Sequence, residues 1–181
     1  MKSWPYFALL AMFLSANASA EGFVLTSKDL NGQMAHEQVF SGFGCSGGNL
    51  SPQLQWMHPP AGTRSFAVTA YDPDAPTGSG WWHWVVFNLS SDLRELKKGA
   101  GSADAKLLPE GSVQGRTDFG QAGYGGACPP VGDRPHRYVF TVYALDVDRL
   151  DLGAEVSPAL VGFQLNRHAL SRASLIAYFG R

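Results

Sequence analysis

Apolar residues alternate with small or polar ones through Arg64-Ser-Phe-Ala-Val-Thr-Ala-Tyr71, where Phe66, Val68 and Ala70 share one face, and the period of two with aromatic and β-branched content predicts a strand. Trp82 to Leu89 is apolar on both faces apart from His83 and Asn88, the pattern of a central strand covered on both sides. Arg137 to Leu145 repeats that character, and shorter strand candidates lie at Phe23–Thr26, His36–Phe40, Gln53–Trp56 and Ser174–Phe179. Strict alternation sends Trp82 and Trp84 to one face and Trp81, with His83, to the other. A single helix is predicted from Ser157, a favourable N-cap, with Pro158 at its first position, through Leu160, Val161, Phe163 and Leu165 to about His168. Long Gly- and Pro-rich loops separate these elements. The pattern as a whole predicts a mostly β fold, an antiparallel sandwich or barrel with a peripheral helix.

The N-terminus changes the compartment. Lys2 precedes a short apolar run, Tyr6 to Leu14, and Ala18-Ser-Ala20 forms a small-residue cleavage site before Glu21, so residues 1–20 read as a signal peptide cleaved after Ala20. The apolar run is well short of the ~20 residues that span a bilayer, and no second one of that kind follows. The expected mature product is therefore a periplasmic or secreted protein without stable membrane insertion, one domain over residues 21–181. The full chain carries 14 Lys+Arg against 15 Asp+Glu, formal net charge -1, and has no basic cluster, which argues against a nucleic-acid partner. Export also bears on Cys45 and Cys128. In an oxidising compartment two cysteines read as a disulfide, which would close a loop of about 80 residues and contribute about 4 kcal/mol through the chain entropy of the unfolded state.

Candidate chemistry gathers at strand ends. Asp72 follows the first long strand, His83 opens the second and His136 precedes the third. If the first two strands form a hairpin, Asp72 and His83 lie at one end of the sheet; whether His136 joins them depends on the direction of the third strand, which periodicity leaves open. Asp72-Pro-Asp-Ala-Pro76 is a rigid, Asx-turn-prone loop suited to a preformed pocket. An indole such as Trp81 beside an imidazole and a carboxylate makes a wall for a small polar ligand. Two histidines and an aspartate are also the ligand set of a facial metal triad, but no metal-binding spacing supports one, and no cofactor is expected. Gly42 to Gly48 is glycine-rich without the lysine of a phosphate-binding loop and is read as a turn. Asn49-Leu-Ser51 and Asn88-Leu-Ser90 match a glycosylation triplet too short to be specific.

Several segments together resemble the phosphatidylethanolamine-binding protein family, in its bacterial Raf-kinase-inhibitor-like branch. They are Asp72-Pro-Asp-Ala-Pro-Thr-Gly-Ser-Gly-Trp-Trp-His-Trp84, Gln114-Gly-Arg-Thr-Asp-Phe-Gly120, Tyr124-Gly-Gly-Ala-Cys-Pro-Pro130 and Pro135-His-Arg-Tyr138, with Gly44-Cys-Ser-Gly-Gly-Asn-Leu-Ser-Pro52 and Ala159-Leu-Val-Gly162 in support. The resemblance covers nearly all of residues 21–181 and implies an antiparallel β-sandwich with a few peripheral helices. It implies a pocket for phosphate-bearing or other small anionic ligands built by Asp72, His83, His136 and Tyr138, with Trp81, Pro76 and Pro129 as walls. Asp72 would repel a phosphate directly, so its expected task is to hold a histidine tautomer or to accept from a ligand ammonium group. The resemblance further implies a non-enzymatic binding or inhibitor role, and homodimers in this branch. The alternatives are a metal-dependent or acid–base enzyme using His83, His136 and Asp72, and an inhibitor of a protease or signalling protein acting through its surface. The chain reaches only Tyr178-Phe-Gly-Arg181, which leaves little room for the C-terminal helix of eukaryotic members and implies a more open pocket.

Overall fold

The computed structural model describes residues 22–181; the expected signal peptide lies outside the described residues. In chain order the elements are β1 (Val24–Thr26), β2 (Ser41–Gly42), β3 (Cys45–Ser46), β4 (Leu54–Met57), β5 (Ser65–Asp72), β6 (Trp81–Ser90), β7 (Glu95–Leu96), β8 (Val113–Gln114), β9 (His136–Leu145), α1 (Pro158–His168) and β10 (Ala169–Phe179). A five-stranded sheet runs β10-β9-β5-β6-β8, a three-stranded one β1-β4-β7, and β2 pairs with β3 in a short hairpin. All these pairings are antiparallel.

The long central strands are apolar on both sides because both sides of the large sheet are covered. On one, Leu25, Leu54, Trp56 and Leu96 of the small sheet pack on Phe66, Val68, Ala70, Trp84, Phe140 and Val142, which makes the sandwich. On the other, Val161 and Leu165 of α1, with Leu150, cover Ala67, Val85, Phe87, Tyr143 and Leu145. Each fully buried Phe or Leu stabilises this arrangement by about 1.5–3 kcal/mol. α1 starts as expected: the Ser157 hydroxyl accepts from the Leu160 amide at 3.2 Å, and Pro158 occupies the first turn. Among the described residues no helix is long and apolar enough to cross a membrane.

Three expectations are corrected. His36–Phe40 is not a strand: His36–Gln38 forms a 3₁₀ turn. Its backbone carbonyls are taken by the amides of Gly48, Leu50 and Ala127, so this segment ties loops together instead of entering a sheet. β10 begins at Ala169, directly after α1, and not at Ser174. As an edge strand with an open face it carries polar Ser171, Arg172 and Ser174, which weakens the apolar signal over its first half. Finally, Trp82 and Trp84 do not share a face. Ala70 pairs with Trp84 and Tyr71 with Trp82, so His83 is an extra residue in β6, a β-bulge. Trp84 joins the sandwich core on the side of Trp81 and His83, while Trp82 packs on the α1 side. Both glycosylation-type asparagines have structural tasks: Asn49 clamps Tyr124 and Gly126, and Asn88 holds the backbone of Leu150.

Candidate functional site

Because β5 lies between β6 and β9 and runs antiparallel to both, β6 and β9 run the same way and both begin where β5 ends. This is the condition that periodicity left open, and it brings His136 to the same sheet end as Asp72 and His83. Asp72 Oδ2 accepts from His136 Nδ1 at 2.8 Å, while its Oδ1 accepts from the amides of Asp74 at 2.8 Å and Ala75 at 3.2 Å in an Asx turn. Both carboxylate oxygens are thus engaged within the protein. Of the two tasks expected for Asp72, the geometry is that of the first: it accepts the Nδ1 proton of His136 and fixes the orientation of that ring. Asp133 Oδ2 stands 3.4 Å from that Nε2.

The second aspartate of the loop was not singled out from sequence, yet it anchors the whole corner. Asp74 receives the Arg137 amide and both Nε and a terminal nitrogen of its guanidinium, each at 2.9 Å, with Arg134 at 3.3 Å. The Arg137 hydrogen bonds hold the Asp74 carboxyl far below the usual carboxylate range. A paired Asp and Arg 63 residues apart leave no local signature in a sequence.

On the β6 side the bulge gives His83 its aim. Its Nδ1 donates to the Gly125 carbonyl at 2.7 Å and its own carbonyl accepts from the Gly125 amide at 2.8 Å, so strand and loop grip each other in both directions. Burial is the largest influence on the ring and lowers its pKa from 6.5, against the raising effects of the Gly125 carbonyl and Asp72. The neutral ring therefore carries its proton on Nδ1, facing the Gly125 carbonyl. Gly125 is needed here for closeness: a Cβ at that position would meet the Phe119 ring at 2.2 Å, and Phe119 packs edge-on to both His83 and Trp81.

These side chains line one cavity of about 230 Å³, together with Phe43, Ala75, Pro76, Thr77, Phe119, Cys128, Pro129, Pro130 and Tyr138. All seven pocket residues named from the sequence are in it. Tyr138 is 2 % exposed and stands edge-on to the His83 ring, and burial drives its hydroxyl pKa strongly upward, so it is a donor at any ordinary pH. Among the described residues, neither the Tyr138 hydroxyl nor the Trp81 indole N–H finds an acceptor for its proton, although both atoms are buried; the Tyr138 oxygen is faced by the Cys128 backbone. Orphaned buried donors are uncommon and costly, and here two of them belong to the lining of one cavity.

Sequence reasoning missed the aromatic mouth. Phe43 occupies the two-residue β2–β3 turn with φ 52°, followed by Gly44 at 81°, the pair of positive angles that a type I′ hairpin requires. A Phe in the left-handed region costs about 1 kcal/mol, and its ring nevertheless stacks on Phe119 at the cavity and lies tilted against Phe40. The signal was its place two residues before a bridged cysteine. Cys45 and Cys128 are joined, with Cα atoms 6.0 Å apart, and the bridge ties the Phe43 turn to the Pro129-Pro130 wall. Arg181 reinforces the same junction by donating to the carbonyls of Pro129, Gly44 and Phe43 at 2.6, 3.1 and 3.4 Å. Among the described residues no three His, Cys, Asp or Glu side chains are placed to hold a metal ion.

A family model described as phosphatidylethanolamine-binding protein matches residues 27–180. The chain is 51 % identical over 165 residues to the UPF0098 protein YbcL of Escherichia coli (strain K12), covering 90 % of each. It is 54 % identical over 157 residues to UPF0098 protein YbhB of the same organism, covering 86 % of this chain and 98 % of YbhB. Among solved structures, that of E. coli YbcL, described as a new member of the mammalian PEBP family, superposes with a TM-score of 0.86 at 50 % identity, over 88 % of this chain and 98 % of YbcL. A putative homologue from Chlamydia trachomatis, CT736, superposes with a TM-score of 0.71 at 28 % identity, over 88 % of this chain and 97 % of that one.

Proposed function

The chain belongs to the phosphatidylethanolamine-binding protein family, and from that premise we propose that it is an exported binding protein, not an enzyme, whose cavity takes a small phosphate-bearing or other anionic ligand. The observation that carries this reading is the pair of buried donors without acceptors, Tyr138 Oη and Trp81 Nε1, beside two imidazoles. An anion oxygen supplies the acceptors that the protein withholds, and satisfying such donors is favourable by roughly 1–3 kcal/mol each. The apolar walls, Pro76, Pro129 and Phe119, suit a ligand with a short organic body. Titration calorimetry with phosphoethanolamine tests the assignment. His83→Ala and His136→Ala should each weaken binding about tenfold or more; unchanged affinity in both overturns it.

Export rests on the leader-like pattern of Lys2 to Ala20, and the Cys45–Cys128 bridge supports it, since disulfides persist in oxidising compartments. Fractionation of an expressing bacterium, followed by N-terminal sequencing, should find a periplasmic product beginning at Glu21. A cytoplasmic product retaining Met1 would refute export.

A further inference from the structure

The polar inventory of the cavity narrows what it can hold. Its lining contains no lysine and no arginine. The Arg181 guanidinium, beside the lining residues Pro129 and Phe43, is spent on the carbonyls of Pro129, Gly44 and Phe43, and the Arg137 guanidinium is spent on Asp74. Carboxylates, in contrast, surround the site. The charged and titratable groups about His83 are Asp72 from β5, His136 and Tyr138 from β9, and Asp118 from the loop after β8, with Asp133 beyond His136. A second negative charge placed among them would find no fixed positive partner.

His83 can supply a positive charge at the cavity that is not already hydrogen-bonded to a carboxylate. Its Nδ1 proton is committed to Gly125, and protonation at Nε2 leaves that bond intact. His136 is placed differently: a proton on its Nε2 would be held by Asp133, with Asp72 on Nδ1, so that charge is balanced within the protein and not by the ligand. Resting on the anion-pocket reading above, we propose that the cavity selects singly charged, acceptor-rich head groups over doubly charged ones, and that each enters with one proton taken from solvent onto His83 Nε2. Tyr138 and Trp81 then donate as neutral groups, and the imidazolium balances the single charge. The burial that keeps the ring neutral when the cavity is empty is what makes the proton arrive with the ligand.

The test uses glycerophosphoethanolamine, a phosphodiester whose single negative charge does not titrate in the neutral range. Calorimetry in two buffers of different ionisation enthalpy should show uptake of about one proton per ligand, and affinity should fall about tenfold between about pH 7 and about pH 8. Phosphoethanolamine, which carries the same ammonium group but a monoester phosphate with nearly two negative charges at the upper pH, should bind there more weakly than the diester. His83→Gln should abolish the uptake, whereas His136→Gln should retain it. Binding of the diester with buffer-independent enthalpy and a flat pH profile overturns the proposal while leaving the pocket reading intact. Tighter binding of the monoester at the upper pH, or uptake lost only in His136→Gln, overturns it as well. No binding of either ester to the native protein brings down the pocket reading and this proposal together.

Discussion

Removing the Tyr138 hydroxyl should move stability and binding in opposite directions. In Tyr138→Phe the ring keeps its place edge-on to His83 and its packing in the sandwich core, and only the hydroxyl is lost. That hydroxyl is buried without a protein acceptor, so the ligand-free protein carries a desolvation penalty of about 1–3 kcal/mol. Water entering the open cavity offsets part of it, which sets the expected gain near the lower figure, about 1 kcal/mol. For a domain of this size that corresponds to a rise in Tm of about 2–4 °C. The ligand complex loses a hydrogen bond to a charged acceptor, about 1.5–3 kcal/mol, or roughly 10- to 150-fold in affinity. Thermal unfolding with and without phosphoethanolamine, together with calorimetry, reads both quantities from one preparation. A variant that is less stable by more than about 1 kcal/mol yet binds normally would show that the hydroxyl serves the fold, and the argument from orphaned donors would fail.

Two further perturbations probe the scaffold. Replacing Cys45 and Cys128 together by serine should cost about 4 kcal/mol in denaturant unfolding, since the bridge closes a loop with a sequence separation of 83; a loss below about 1 kcal/mol would contradict the loop-entropy estimate. Asp74→Asn should cost about 2 kcal/mol by weakening the Arg137 clamp. Because the folded Asp74 carboxyl titrates below its ordinary value of 3.8, its contribution is present above about pH 4 and lost as pH falls through the folded value. The native protein should therefore lose more stability than Asp74→Asn on acidification below about pH 4, and parallel acid unfolding curves would refute the assignment.

The fold was legible where burial imposes period or composition: the long strands β5, β6 and β9 and the capped helix α1 could be read directly. The pocket was legible because the chain puts its candidate residues at strand ends, but only the family resemblance could bring His136 in, since strand direction is a property of topology. What escaped has a common cause. The bulge at His83, the Asp74–Arg137 clamp, and the Phe43 turn bolted through Cys45 each depend on a partner distant in sequence. In the bulge, a two-residue alternation that looks unbroken conceals an added residue because Trp82 and Trp84 are equally apolar and can each be buried on either face.

The abundance of aspartate around a proposed anion site is resolved by where each carboxylate is spent. Asp72 accepts two backbone amides and the His136 ring, Asp74 accepts Arg137 and Arg134, and Asp118 accepts the Trp82 amide at 2.7 Å. Each negative charge is turned inward against donors that orient a strand end. The polar atoms left without acceptors beside the cavity are then a hydroxyl and an indole N–H, with an imidazole ready to become a third donor. A near-neutral protein, with formal net charge -1, has no overall field to draw an anion in. On the proposed reading, recognition rests on this inversion, in which acidic residues hold the frame and the frame offers donors to the ligand.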